Sequence, residues 1–166
     1  SGDAGGALGA ALAVNHMYFG EKRKINLKEK IKSIYLGPYF SQKEVLNSLN
    51  KYKGVYKIFN SFDQLSKKTA NLISNGNIVG WFQDRMEFGP RALGNRSILA
   101  DPRNEEMQKK LNLKIKYREG FRPFAPSVLF ENVSDYFDIE SPSPYMLLIA
   151  DVNDKIKKPL PSNYYD

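Results

Sequence analysis

Cysteine is absent from the 166 residues, histidine occurs once, at His16, and no apolar run approaches the roughly 20 residues that a membrane span requires. Each shortage closes off a class of function. Without cysteine there are no disulfides and no thiolate metal sites, and the composition leans to a reducing compartment, so a cytoplasmic protein is expected. With His16 alone, histidine-based triads and two-histidine zinc sites are excluded. Any metal must be held by oxygen ligands or lie on another polypeptide segment. Apolar residues at 42% and aromatics at 13% still suffice for a folded core, and the length suits one ordinary domain with a small appendage.

Positive charge is what the chain has in excess, with a net +7 and a pI near 9.4. Six of the seven arginines fall between Arg85 and Arg122, in RMEFGPRALGNRSILADPR and then KIKYREGFRPFAPS, whereas the eighteen lysines are spread over nearly the whole length. That window holds ten basic residues against five acidic ones. Arginine presents five donors in a fixed planar fork and stays charged, which suits two-point binding of carboxylate or phosphate. A second basic run, EKRKINLKEKIKS from Glu21 to Ser33, has no interleaved aromatics and reads as a solvated helix face or linker.

Along the chain, SGDAGGALGAAL opens with Asp3 as a helix N-cap and then small residues, predicting a helix from about Ala4 to Tyr18 that lets another backbone come close. It serves either simple close packing or, as a glycine turn at a helix N-terminus, a nucleotide phosphate. After the connector, Ser41 with Glu44 predicts a capping box and a helix to about Tyr52. VYKIF at Val55 to Phe59 alternates like a strand. Ser61 with Gln64 starts a second helix that ends near Asn75-Gly76, and NIVGWFQ reads as a buried strand. Asp101-Pro102 predicts another helix start, running to about Leu111. FAPSVLFE and YMLLIADV are two further strand candidates, with a short helix or turn from Asn132 to Phe137 between them, and the proline- and lysine-rich end reads as an interrupted loop. The expected class is α/β, a twisted mixed sheet with flanking helices.

In FGPRALGNRS, Gly89 and Gly94 flank Pro90 and Arg91, so the backbone must turn sharply after the NIVGWFQ strand and present N–H groups and arginines at a sheet end, where ligands of α/β folds bind. Lys116, Arg118 and Arg122 follow one helix later. Several cations around one mouth suit a substrate with several anionic oxygens, such as carbamoyl phosphate or a nucleoside triphosphate. Arg103 and Arg118 are equally suited to bracing loops through Asp101 and Glu119. Glu87 has two readings, a magnesium ligand or base, or a brace for an arginine.

FGPRALGNRSILADPR followed by KYREGFRPFAPSV strongly resembles the C-terminal domain of the O-carbamoyltransferases that modify nodulation factors and antibiotics. SGDAGGALGAAL is similar to the closing nucleotide-binding motif of their N-terminal, actin-like ATPase domain. The resemblance implies residues 1–33 as the tail helix and connector of that first domain, and 34–166 as a YrdC-like α/β domain with a detached N-terminal helix before it. It implies a basic cavity that binds carbamoyl phosphate and ATP, with magnesium as an admissible companion, forms carbamoyl adenylate, and hands the carbamoyl group to an acceptor hydroxyl in the other domain. By motif, Arg91, Lys116 and Arg122 would bind the phosphates, Arg96 and Arg85 would assist, and Arg91 and Lys116 would act in the chemistry itself.

Two departures follow from the same resemblance. The N-terminal catalytic domain, with its histidine-ligated metal and acceptor site, is represented only by its closing motif, and the family's chains run on past Asp166 with an arginine that completes the pocket. The expectation is therefore a domain that keeps anion affinity without completing carbamoyl transfer alone. The competing class is a binding module for double-stranded RNA or other nucleic acid using a basic concave face, marked by steep salt dependence. Sparse aromatics among the arginines disfavour base stacking.

Overall fold

The computed structural model describes residues 5–24 and 34–160. Asp3 as an N-cap, the connector from residue 25 to 33 and the last six residues of the C-terminal loop lie outside them. The chain divides into two units, Ser1–Phe124 and Ala125–Asp166.

In the first unit, α1 spans Gly5–Ala13 and continues as a wider turn over Val14–Tyr18, where the Phe19 amide reaches back to the Val14 carbonyl at 3.1 Å. Alanine-rich sequence favours the helix. Its apolar residues lie all round, and Leu8, Leu12, Met17 and Tyr18 are exposed. Helix α2, Gln42–Lys51, begins at the expected capping box: the Ser41 hydroxyl accepts from the Glu44 amide, and the Glu44 carboxylate accepts from the Ser41 amide at 2.8 Å. Helix α3, Phe62–Ser74, is capped by Ser61, which accepts from the Gln64 amide, and stops at Asn75-Gly76, where Gly76 takes φ of 78°. A left-handed residue there lets the amides of Gly76 and Asn77 return to the carbonyls of Ile73 and Leu72.

Strands β1, Val79–Phe82, and β2, Arg96–Leu99, pair antiparallel in the register Val79↔Leu99, Gly80↔Ile98, Trp81↔Ser97, Phe82↔Arg96. The α/β class therefore stands, with a two-stranded antiparallel sheet in place of the expected mixed one, and β1 is half-buried. Helix α3 packs on β1 through an edge-to-face contact of Phe62 with Trp81, centroids 6.1 Å apart. Beyond the strands the ladder loosens into a long loop: the Gln83 amide donates to the Asn95 carbonyl and the Asn95 side chain to the Arg85 carbonyl. Residues 34–38 run alongside it, the Gly37 amide donating to Met86 O at 2.9 Å and the Met86 amide to Pro38 O at 3.0 Å.

Helix α4, Met107–Lys114, starts later than Asp101-Pro102 implied. The Asp101 carboxylate accepts from the Arg103 amide and guanidinium and so caps a turn of its own. Three other expected strands are not formed among the described residues. Val55–Phe59 is irregular, with Val55 and Ile58 exposed, and FAPSVLFE and YMLLIADV are not strands. In the second unit one antiparallel bridge, Phe137↔Val152, joins the last residue of the second candidate to the end of the segment expected as a short helix or turn. The short helix between them is present as a 3-10 turn, Phe130–Asn132, running into α5, Val133–Tyr136.

Buried apolar residues among those described are Ile34, Met107 and Leu111, against five buried polar ones, Thr69, Glu87, Asn95, Asp101 and Asn112. A buried polar group persists only when its hydrogen bonds are made. Four of the five lie in or beside the arginine segment.

Candidate anion site

The β1–β2 connection is built around Glu87, which is 4% exposed. Its Oε1 accepts from the backbone amides of Leu93, Asn95 and Arg96 at 2.6, 3.0 and 3.1 Å. Burial pushes its pKa up, but the amide hydrogen bonds outweigh it and hold the carboxyl below its ordinary 4.5. Glycines at the arc's ends take left-handed backbone, Gly89 at φ 100° and Gly94 at φ 114°, as a side chain would resist. The Tyr35 hydroxyl donates to the Leu93 carbonyl at 2.8 Å, and its own pKa rises through burial and then through the nearby Glu87 charge.

This arc carries three of the arginines singled out by sequence. Arg96 donates from Nη2 to the Gly89 carbonyl at 3.1 Å, and Arg85 from Nη1 to the Gly37 carbonyl at 2.9 Å. Arg91, at the middle of the arc, is exposed and has no hydrogen bond or ion pair among the described residues. Glu87 forms no ion pair with any of them; it braces the backbone of the arc instead of a guanidinium.

The second group follows α4. Asn112 is fully buried, and its Nδ2 donates to the carbonyls of Gly120 and Arg122 at 3.1 and 2.8 Å while its Oδ1 accepts from Arg118 Nε at 2.7 Å. Gln108, one turn earlier, donates to the carbonyls of Phe121 and Arg122. These two amides strap the 118–122 loop onto α4. Arg118 also lies over the Phe124 ring, 5.0 Å from its centroid. Arg122 pairs with Glu119 at 2.8 Å, and Glu119 sits below its ordinary range through its backbone hydrogen bond and then through Arg122. Lys116 is exposed, its amide donating to the Leu111 carbonyl at 2.9 Å and its ammonium group without a partner among the described residues.

The sequence-predicted cations thus fall into two loop groups, Arg85, Arg91 and Arg96 in the connection that Glu87 shapes, and Arg118 and Arg122 in the loop that Asn112 straps, with Lys116 just before it. No hydrogen bond or ion pair links the two among the described residues. Sequence reasoning read Glu87 as a magnesium ligand or base, or as a brace for an arginine, and not as an acceptor for backbone amides; it left Gln108 and Asn112 unassigned, where the available signal was asparagine between Leu111 and Leu113, a poor helix former inside an apolar stripe. No group of three or more histidine, aspartate or glutamate side chains is placed to share a cation among the described residues. A groove of about 530 Å³ in the second unit is lined by Asp138, Glu140, Asp151 and Asp154 with Lys155 and Lys157, and that balance does not suit a polyanion. No helix among the described residues is long and apolar enough to cross a membrane.

Residues 70–165, more than half of the chain and the whole of both loop groups, match the family described as the C-terminus of carbamoyltransferases. The chain is 53% identical over 162 residues to an uncharacterized protein of Synechocystis sp., covering 96% of this chain and 26% of that one. It is 44% identical over 138 residues to nodulation protein NolO of Bradyrhizobium diazoefficiens, 82% of this chain and 24% of the relative. It is 42% identical over 85 residues to 3'-hydroxymethylcephem-O-carbamoyltransferase of Amycolatopsis lactamdurans, 51% and 16% respectively. The chain therefore spans about a quarter of the length of the first two. With its arginine loops inside the matched segment, this chain belongs to the carbamoyltransferase C-terminal family.

Proposed function

We propose that this chain supplies the part of a cytoplasmic O-carbamoyltransferase that holds carbamoyl phosphate and ATP and forms carbamoyl adenylate. Arg91 and Lys116 are the principal phosphate ligands and act on the reacting groups; Arg122, Arg96 and Arg85 assist, and magnesium accompanies the nucleotide. Residues 34–166 are the YrdC-like domain in this reading, and 1–33 close the preceding one. The observation that carries it is the state of Arg91 and Lys116: both are exposed cations without a partner among the described residues, in a segment where neighbouring arginines are engaged.

Atom balance fixes the overall step. Carbamoyl phosphate and ATP give carbamoyl adenylate only if one water is consumed and orthophosphate and pyrophosphate both leave. Negative charge gathers on departing phosphate oxygens, where fixed guanidinium and ammonium groups are most effective. The relative whose name states O-carbamoyl transfer to a hydroxymethylcephem supports a hydroxyl as the acceptor, met in the part of the enzyme that precedes this chain. Calorimetric titration of carbamoyl phosphate against wild type, Arg91→Ala and Lys116→Ala tests the assignment. Each substitution should weaken binding by about 1.5–3 kcal/mol, the worth of a hydrogen bond to a charged group. Unchanged affinity in both variants would refute it.

A further inference from the structure

We propose that Glu87 is a positioning residue for Arg91, acting through the backbone of the 89–96 arc. The proposal rests on the reading of Arg91 as an anion ligand. Three amides from one stretch of chain, those of Leu93, Asn95 and Arg96, converge on a single oxygen of Glu87. Converging amides of this kind form a concave, partly positive cup that ordinarily receives an external anion. Here an internal carboxylate fills the cup. Its other oxygen, Oε2, is buried without a hydrogen-bond partner among the described residues, so there the residue is held by the amide side at that cost.

The arrangement explains how an acid can sit inside an arginine cluster without quenching it. Glu87 forms no ion pair among the described residues, so Arg85, Arg91 and Arg96 are not matched to it. The arc is closed at its other points by neutral acceptors, Arg96 on the Gly89 carbonyl and Tyr35 on the Leu93 carbonyl. Arg91 stands at the crown, two residues after Gly89 and two before Leu93, and its backbone has no tie of its own among those hydrogen bonds. Loss of negative charge at Oε1 would weaken the three amide bonds that hold residues 93 to 96 and loosen the crown, lowering the fraction of molecules with Arg91 in place. Glu87→Gln is the suited perturbation, since it keeps shape and removes charge.

The experiment is a double-mutant cycle on Glu87→Gln and Arg91→Ala in the full chain, read by calorimetric titration of inorganic phosphate and of carbamoyl phosphate. Glu87→Gln should weaken binding about tenfold, a difference of about 1.4 kcal/mol, and should have no further effect in the Arg91→Ala background. An equal loss in both backgrounds would mean that Glu87 acts elsewhere and would overturn the proposal. A companion measurement on wild type needs no variant and no ligand. The amide signals of Leu93, Asn95 and Arg96 should titrate together with the Glu87 carboxyl, at a midpoint below 4.5; Tyr35, raised from 10.0, stays protonated there. Amides that ignore that titration overturn the proposal even if phosphate binds. Absence of phosphate binding in wild type, with the amides still following Glu87, would instead defeat the anion-ligand reading, and with it the link to Arg91.

Discussion

Replacing Asn112 separates the loop-strap interpretation of the second cation group from one in which α4 simply supplies apolar packing. The side chain is fully buried and makes three hydrogen bonds, two donated to Gly120 O and Arg122 O and one accepted from Arg118 Nε. In Asn112→Ala the Arg122 carbonyl keeps Gln108, but the Gly120 carbonyl and the Arg118 Nε lose these partners. Two neutral bonds at about 1 kcal/mol each and one charge-assisted bond at about 1.5–3 kcal/mol give a loss of roughly 3–5 kcal/mol. Asn112→Asp sharpens the test. Its first oxygen still accepts from Arg118, now as an ion pair, whereas its second faces two carbonyl oxygens with no proton to offer. If the donated straps matter, aspartate destabilises as well; if the Arg118 bond dominates, aspartate restores stability. Denaturant titration reads both, as a lowered midpoint at unchanged slope. A loss below about 1 kcal/mol for alanine, or full rescue by aspartate, would refute the reasoning.

Gly37→Ala should be destabilising by about 1–3 kcal/mol, as overpacking is, because a Cβ there would lie 2.8 Å from the Met86 carbonyl oxygen and 2.9 Å from the Met86 Cβ; an unchanged denaturation midpoint would contradict it. Asp101 is held at about 2, below its ordinary 3.8, first by the Arg103 guanidinium hydrogen bond and then by the Arg103 amide. Because the folded value is depressed, its contribution is complete above 3.8 and is lost as the pH falls through about 2. Arg103→Ala should raise the Asp101 carboxyl midpoint toward 3.8, followed by carbon NMR, and an unmoved midpoint would rule out the pairing.

What the sequence made legible is what is encoded within three or four residues. The caps at Ser41 and Ser61, the Asn75-Gly76 stop and strand β1 all lie where the pattern placed them, because their chemistry is local. Val55–Phe59 misled because alternation specifies a face and not a partner. Asp101-Pro102 misled because the aspartate has a competing donor two residues on, in Arg103. Strand β2 went unread because Arg96 to Leu99 sits inside a segment whose glycines and arginines read as a binding turn. At the site, arginine enrichment was visible in composition alone. The bonds that shape the loops, from Glu87 six to nine residues forward and from Asn112 eight to ten forward, cross turns whose geometry no spacing rule supplies.

The kind of partner each cation has bears on how it can serve a ligand. Arg103 and Arg122 are matched to carboxylates, which offsets their charge toward an incoming phosphate. Arg85, Arg96 and Arg118 are held by neutral acceptors, two backbone carbonyls and an asparagine oxygen. A neutral acceptor restricts rotamers while leaving the full charge and the remaining donors of a five-donor guanidinium in place. Such side chains are pre-ordered, so less entropy is lost when an anion binds. Arg91 and Lys116 have no side-chain partner among the described residues, so in the proposed reading their ordering comes from the backbone. In that reading the buried acid of the first loop supplies it at Arg91, while the buried amide of the second orders the 118–122 loop that follows Lys116.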